Sequence, residues 1–218
     1  MSLHDKKYIV IRKILSKELA KVYYDYMINK EKTCYTLINN GLINPFSTDY
    51  GFFNDTQVPN SYSLYGDQLF DNMMIHLKPR IEKETGLELT EMYSYARNYR
   101  QRDELKRHKD RFSCEISTTM NLGGDDWPIY LSPNENVGPP DGKNITVASE
   151  AKGVKVDLKP GDMLVYRGVD LEHWREKFKG TECVQVFLHY NNRKTPGAKN
   201  NMFDARPHLG LPSWFKRN

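Results

Sequence analysis

The sequence predicts an α+β, mainly β protein in which an antiparallel barrel or sandwich is backed by helices from the N-terminal third. Two observations support this prediction. Short strand-like runs recur between residues 92 and 190, with Gly and Pro turns between them, and both amphipathic helical patterns lie before residue 86. The chain has 218 residues, which is enough for one domain with a sizeable core. We therefore expect a single domain over 1–218.

The N-terminal segment contains the two helical patterns. Residues 8–12 alternate β-branched side chains and predict a short strand, and Ser16 offers an N-cap to a helix that runs to about Asn29. Residues 34–63 are rich in Asn, Gly, Pro and aromatic side chains without a clear period, which predicts a long ordered loop or short elements. A second helix is predicted from Leu64 to about Glu84, kinked or divided at Pro79.

After residue 86 the pattern changes to a period of two. In the strand predicted over 92–99, the odd-numbered residues share one face: Tyr93, Tyr95, Arg97 and Tyr99. The remaining strands are predicted over 114–122, 127–131, 144–149, 154–158, 163–167 and 182–190, with a Pro-, Gly- and Asn-rich connection over 132–142. A polar tail follows over 191–218, and Trp214 and Phe215 are expected to pin it to the body.

Composition excludes several classes of protein. Three cysteines without C-x-x-C spacing argue against a disulfide framework and against a thiolate zinc site. No run of about 18 apolar residues is present and the N-terminus lacks a signal-peptide pattern, so we expect a soluble cytoplasmic protein without a membrane partner. A net charge of +4 is too small to indicate nucleic-acid binding.

The residues that indicate chemistry are His108, Asp110 and His173. His108 and Asp110 are two apart, so on a strand end their side chains point to the same face and can bind one cation. His173 follows the strand predicted over 163–167 and can supply a third ligand. Two imidazoles and one carboxylate leave coordination positions open, which is typical of non-haem Fe(II) oxygenases. His76 lies in a predicted helix and is left outside the site.

The context of His-x-Asp makes the motif more specific. Tyr99 lies nine residues before His108 and Leu105 three before it; a β-rich segment, the turn 160–162 and the lone His173 follow. Over residues 90–190 this order resembles the Fe(II)/2-oxoglutarate-dependent dioxygenases, prolyl 4-hydroxylase-like group. The resemblance implies a double-stranded β-helix, or jelly roll, with its core over about 87–190, helical support over about 1–86 and the tail over 191–218.

The resemblance also implies the reaction. Fe(II), 2-oxoglutarate and O2 would be required, with ascorbate as the reductant, and His108, Asp110 and His173 would be both metal ligands and catalytic residues. Oxidative decarboxylation of 2-oxoglutarate to succinate would be coupled to hydroxylation of a substrate C–H bond. Related halogenases carry a small apolar residue in place of the carboxylate. The intact Asp110 therefore implies hydroxylation.

The co-substrate pocket departs from the resembled group. Members usually carry Arg or Lys nine or ten residues after the distal histidine, and these positions are Glu182 and Cys183 here. The outer carboxylate of 2-oxoglutarate still needs a partner, because an unpaired buried carboxylate is costly. By resemblance Tyr99 binds this carboxylate, and Arg97 shares its strand face.

We therefore predict Arg97 as the cation and Gln185 as an added donor. Arg175, Lys177 and Lys179, which follow His173 closely, are alternatives. Strand alternation places Val184, Val186 and Leu188 against the helices, and Cys183, Gln185, Phe187 and His189 towards the interior.

Three functions remain open. The first is a hydroxylase acting on a protein or peptide, prolyl by resemblance. The second is the same chemistry on a small molecule or on nucleic acid. Alkylated-base demethylases carry an Arg-x-Asn-x-Thr-x-Arg run after the distal histidine, and residues 191–195 do not match it, which argues against nucleic acid. The third is a catalytically silent jelly-roll binding module, favoured by the missing terminal Arg or Lys.

Overall fold

The computed structural model describes residues 3–53, 55–59, 61–134, 136 and 149–217. Within them lie three α-helices: α1 (Leu3–Lys6), α2 (Lys17–Asn39) and α3 (Gln68–Thr85). The strands are β1 (Tyr8–Ile11), β2 (Tyr62–Tyr65), β3 (Leu89–Arg100), β4 (Leu105–His108), β5 (Ile116–Gly124), β6 (Ile129–Leu131), β7 (Val154–Val156), β8 (Met163–Arg167), β9 (His173–Arg175) and β10 (Glu182–Asn192). Residues 144–148 of the strand predicted over 144–149 lie outside the described residues.

Both long helices begin at the side chain that caps them. The Ser16 hydroxyl accepts a hydrogen bond from the Leu19 amide at 3.1 Å, and the Asp67 carboxylate accepts one from the Leu69 amide at 3.0 Å. Helix α2 continues ten residues beyond the predicted end at Asn29. Helix α3 runs through Pro79 without being divided and ends at Gly86, whose φ of 73° favours glycine.

Residues 62–65 form a strand where the sequence predicted the end of the loop over 34–63 and, from Leu64, the start of a helix. Strand β2 pairs with β3, and the chain then turns at Gly66, with φ of 62°, before Asp67 caps α3. Strand β1 is paired with β8 in the same sheet. The segment predicted as helical support therefore also supplies two strands, because pairing with distant strands decides the conformation of short apolar runs.

The strands form two antiparallel sheets. A six-stranded sheet has the order β1-β8-β5-β10-β3-β2, and a four-stranded sheet has the order β4-β9-β6-β7. Apolar residues from both sheets pack together, including Ile129 and Leu131 from β6 with Leu164 and Tyr166 from β8. The prediction of an α+β, mainly β sandwich backed by N-terminal helices is confirmed.

The largest hydrophobic core lies between the helices and the six-stranded sheet. It contains Phe70 and Met74 from α3 together with Val184, Val186 and Leu188 from β10. Phe187 and His189, the alternate residues of β10, line a cavity on the opposite face. The predicted alternation of β10 is confirmed, and it separates a packing face from a face that is available for chemistry.

The C-terminal tail is held by polar side chains and not by the predicted aromatic pair. Trp214 and Phe215 are 68% and 45% exposed. Asp204 instead binds Arg111 at 2.6 Å, and the fully buried Arg206 donates to the Met92 carbonyl at 3.2 Å. Within the described part of the chain, no helix is both long and apolar enough to cross a membrane.

Candidate active site

His108, Asp110 and His173 lie together at one end of the four-stranded sheet. His108 is the last residue of β4 and His173 the first of β9, and the two are direct partners in the strand pairing. An Asp110 carboxylate oxygen lies 3.7 Å from His108 Nε2 and 3.6 Å from His173 Nε2. One ligand atom of each residue lies within 4.8 Å of those of the other two. The structure thus brings the three predicted residues to one point.

Backbone carbonyls orient both imidazole rings. His108 Nδ1 lies 2.7 Å from the Lys106 carbonyl oxygen, and His173 Nδ1 lies 3.0 Å from that of Leu171. In each ring the Nδ1 proton is donated to a carbonyl, so Nε2 keeps its lone pair and faces Asp110. Two nitrogen lone pairs and a carboxylate that converge in this way fit a divalent first-row metal ion.

The electrostatic environment favours the unprotonated forms of His108 and Asp110. Burial lowers the pKa of His108 to about 4, and the neighbouring His173 adds to the effect. Burial alone would raise the pKa of Asp110, but the two ligand histidines, His189 and Ser117 outweigh it, so this pKa lies below its ordinary value. Near neutral pH, His108 is therefore neutral and Asp110 is ionised, as metal ligands must be.

A hydrogen-bond chain supports the second oxygen of Asp110. The Ser117 hydroxyl donates to Asp110 Oδ2 at 2.7 Å, and His189 Nδ1 lies 3.0 Å from the same hydroxyl. The Asp110 amide also donates to the Gly168 carbonyl at 2.9 Å. Ser117 and His189 were missed as supporting residues from the sequence, although the alternation of the strand predicted over 114–122 could have placed Ser117 on the interior face.

Replacing Ser117 by alanine should weaken Fe(II) binding by about ten- to a hundredfold, because outer contacts orient the ligand carboxylate. Metal titration by calorimetry would measure the change. The control is Ser63→Ala, since Ser63 is also a buried serine but contacts Arg97 and not Asp110. Equal Fe(II) affinities for wild type and Ser117→Ala would contradict this role.

Asp110 also lies close to a second group of potential ligands, Cys114 and His189. The Cys114 sulfur lies 3.0 Å from the Tyr93 hydroxyl, and burial, followed by the nearby Asp110 charge, raises the pKa of the thiol well above its ordinary value. A thiol held protonated is a poor metal ligand. Of the two groups, His108, Asp110 and His173 are therefore the better candidates to hold a metal ion.

A cavity of about 250 Å³ is lined in part by His108, Asp110 and His173. All four odd-numbered residues predicted to share a face of β3 line it: Tyr93, Tyr95, Arg97 and Tyr99. Phe187 and His189 of β10 line it as well. The group formed by His108, Asp110 and His173 therefore faces a pocket that is lined by both aromatic and charged side chains.

Arg97 lies in this cavity wall but its donors are already engaged. Its Nη2 forms an ion pair with Asp55 Oδ1 at 2.8 Å and donates to the Tyr95 hydroxyl at 3.2 Å. The other N–H groups donate to Ser63 Oγ at 3.3 Å, Gln57 Oε1 at 3.3 Å and the Tyr99 hydroxyl at 3.5 Å. The five guanidinium donors are thus occupied. Binding of 2-oxoglutarate by Arg97 stays a prediction that would require breaking these contacts.

The three alternative cations that follow His173 lie in two different environments. Lys177 and Lys179 are exposed and line a surface depression together with Arg102. Arg175 is 1% exposed and lies in the interior, where its Nη2 donates to Gln185 Oε1 at 3.2 Å. Gln185, predicted as an added donor, is therefore in contact with an internal cation, and Tyr99 is buried nearby.

No family model and no curated protein matches this sequence. Solved structures match its fold. A Pseudomonas putida prolyl-4-hydroxylase is similar over 88% of this chain and 95% of its own, with a TM-score of 0.53 and 16% identity. HygX from Streptomyces hygroscopicus, solved with nickel, 2-oxoglutarate and hygromycin B, is similar over 88% and 85%, with a TM-score of 0.61 and 11% identity.

The viral collagen prolyl hydroxylase from Paramecium Bursaria Chlorella virus-1, a 2-oxoglutarate complex, is similar over 86% of this chain and 97% of its own. Its TM-score is 0.54 at 11% identity. This chain has the fold of the 2-oxoglutarate oxygenases. The two sheets described above therefore form the jelly roll of that fold, as expected from the resemblance, and the group of His108, Asp110 and His173 belongs to it.

Proposed function

We propose that this protein is an Fe(II)- and 2-oxoglutarate-dependent dioxygenase. The observation that supports this most strongly is the convergence of His108 Nε2, Asp110 and His173 Nε2 beside a cavity in an oxygenase fold. Bound Fe(II) would supply the activation of O2 for oxidation of a substrate C–H bond. His108, Asp110 and His173 would hold the metal, while Tyr99 and Gln185 would contact the co-substrate.

The proposed substrate is a prolyl residue in a protein or peptide. The cavity of about 250 Å³ is smaller than the roughly 300–1,000 Å³ of sites that enclose a whole drug-sized ligand. It suits a co-substrate and one inserted side chain better than a complete base or antibiotic. Tyr93, Tyr95 and Phe187 line the cavity and contribute apolar surface that such a side chain could contact. Two of the similar solved structures are prolyl hydroxylases.

A small-molecule substrate is the second candidate, because HygX was solved with hygromycin B bound. The protein would be cytoplasmic and would use ascorbate to keep iron reduced.

The test is succinate formation from 2-oxoglutarate with Fe(II), O2 and ascorbate, with and without proline-containing peptides. We expect succinate formation that increases with a peptide and matches hydroxylated product. Absence of succinate despite metal binding would favour the silent binding module.

The product should be hydroxylated and not halogenated even at high chloride concentration. Asp110 occupies a metal position that a halide would otherwise need, and it is held there by Ser117 and by its own amide. Mass spectrometry of the product measures the outcome directly. A chlorine isotope pattern in the product would contradict the assignment of Asp110 as a ligand.

A further inference from the structure

Arg175 is a buried cation with an unusual set of contacts. It lies two residues after His173 on β9, so both side chains point to the same face of the sheet, about 7 Å apart along the strand. Its Nη1 donates to the Trp127 carbonyl, and its Nη2 donates to Thr119 Oγ1 and Gln185 Oε1, both at 3.2 Å. Its Nε is buried and has no hydrogen-bond partner among the described residues.

None of these partners carries a negative charge. The described residues form no ion pair with Arg175, and its electrostatic neighbours Tyr99, Tyr166 and Cys183 are neutral at physiological pH. A buried guanidinium without an anion is costly, since a charge removed from water needs compensation. Other strongly buried guanidinium groups have an acidic partner: Arg97 has Asp55 and Arg206 has Asp71.

The surroundings of Arg175 are suited to a carboxylate. Thr119 and Gln185 fix the guanidinium, and the Tyr99 hydroxyl, which accepts from Arg97, keeps its own proton for donation. Gln185 also donates to the Cys183 sulfur at 3.2 Å, so Cys183 lies beside this group. A lysine or arginine at position 183 would place a second cation next to Arg175, whereas cysteine leaves room for one cation and one anion.

We propose that Arg175 binds the outer carboxylate of 2-oxoglutarate, and that this chain carries the required charge on β9 in place of position 183 on β10. The proposal rests on the proposed function. A cation at position 175 explains why Cys183 is compatible with co-substrate binding. Arg97 then has a separate structural role, which is its ion pair with Asp55. The proposal also makes Arg175 the residue that distinguishes a 2-oxo dicarboxylate from a 2-oxo monocarboxylate.

The test is the affinity for 2-oxoglutarate, measured by calorimetry on protein loaded with Mn(II), without turnover. Arg175→Met should weaken binding by about ten- to a hundredfold and leave Mn(II) affinity unchanged. The variant should also remain folded, with a melting temperature near that of the wild type, because an apolar side chain of similar length replaces an uncompensated charge. The increase in melting temperature that 2-oxoglutarate gives the wild type should be lost.

Moving the cation from β9 to β10 distinguishes a role of Arg175 in binding from a purely structural role. In the double variant Arg175→Met with Cys183→Lys, affinity for 2-oxoglutarate should return to within about threefold of the wild type, since one cation is restored beside Gln185. In the wild type, 2-oxobutyrate should bind much more weakly than 2-oxoglutarate, and Arg175→Met should bind the two almost equally.

The matched controls are Arg97→Ala and Lys179→Ala, which should affect 2-oxoglutarate affinity less than Arg175→Met. Wild-type affinity in Arg175→Met, or a larger loss in Arg97→Ala or Lys179→Ala, would overturn the assignment. Unfolding of Arg175→Met without rescue by Cys183→Lys would also overturn it, because Arg175 would then be structural. Failure of the wild type to bind 2-oxoglutarate in the presence of metal would instead overturn the proposed function.

Discussion

Replacing His108 by alanine is expected to abolish Fe(II) binding and 2-oxoglutarate turnover. In the proposed site His108 would supply one of three ligands, and its Nδ1 contact with the Lys106 carbonyl holds Nε2 towards Asp110. Loss of an outer contact typically weakens metal binding by about ten- to a hundredfold, so loss of a ligand should weaken it by at least a hundredfold. Calorimetric titration and metal analysis after dialysis measure this effect.

The matched control is His76→Ala. His76 is an exposed residue of α3, far from the ligand group in the chain and outside the cavity lining, so its removal should leave Fe(II) affinity unchanged. Wild-type affinity and turnover in His108→Ala would show that the metal is bound elsewhere. Equal losses in both variants would indicate nonspecific binding to surface histidines.

The second large effect concerns stability. Asp71 is 2% exposed and accepts hydrogen bonds from the Ser94 amide at 2.9 Å, the Ser94 hydroxyl at 2.6 Å and the Gly210 amide at 2.7 Å. It also lies 3.6 Å from the buried Arg206. The carboxylate thus connects α3, β3 and the C-terminal tail. Asp71→Asn should lower the free energy of unfolding by roughly 3 kcal/mol, because it leaves Arg206 buried without an anion.

A double-mutant cycle tests this explanation. The free energy of unfolding is measured in urea for the wild type, for Asp71→Asn, for Arg206→Met and for the double variant. The double variant should lose less stability than the sum of the two single variants, since the uncompensated charge is then removed. Asp25→Asn is the control, because Asp25 forms an exposed pair with Lys21 and should change stability by less than about 0.5 kcal/mol. Strict additivity of Asp71→Asn and Arg206→Met would contradict the coupling.

The residues that the sequence placed correctly are those governed by short-range geometry. A spacing of two on a strand end brought His108 and Asp110 to one face, and the same period assigned the cavity-facing residues of β3 and β10. The prediction of His173 as part of the site depended on the order of the surrounding strands and turns as well as on its being a histidine. Because strand periodicity depends on backbone geometry alone, it can be used without knowledge of the tertiary contacts.

Long-range polar partners could not be predicted in this way. Asp55, which neutralises Arg97, lies in an irregular segment 42 residues earlier in the chain, and Asp204, which binds Arg111, lies in the tail. Neither position carries a periodic signal. The sequence pattern also could not predict that Arg175 is buried while Lys177 and Lys179 are exposed. This difference in exposure follows from how the sheets pack.

The most direct test of this account is an anaerobic crystal structure with Fe(II) and 2-oxoglutarate, using anomalous scattering at the iron edge. We predict one iron peak bonded to His108 Nε2, the Asp110 carboxylate and His173 Nε2, with the outer carboxylate of 2-oxoglutarate on Arg175. An iron peak away from these three residues, or none under conditions in which 2-oxoglutarate is bound, would contradict the proposed dioxygenase site.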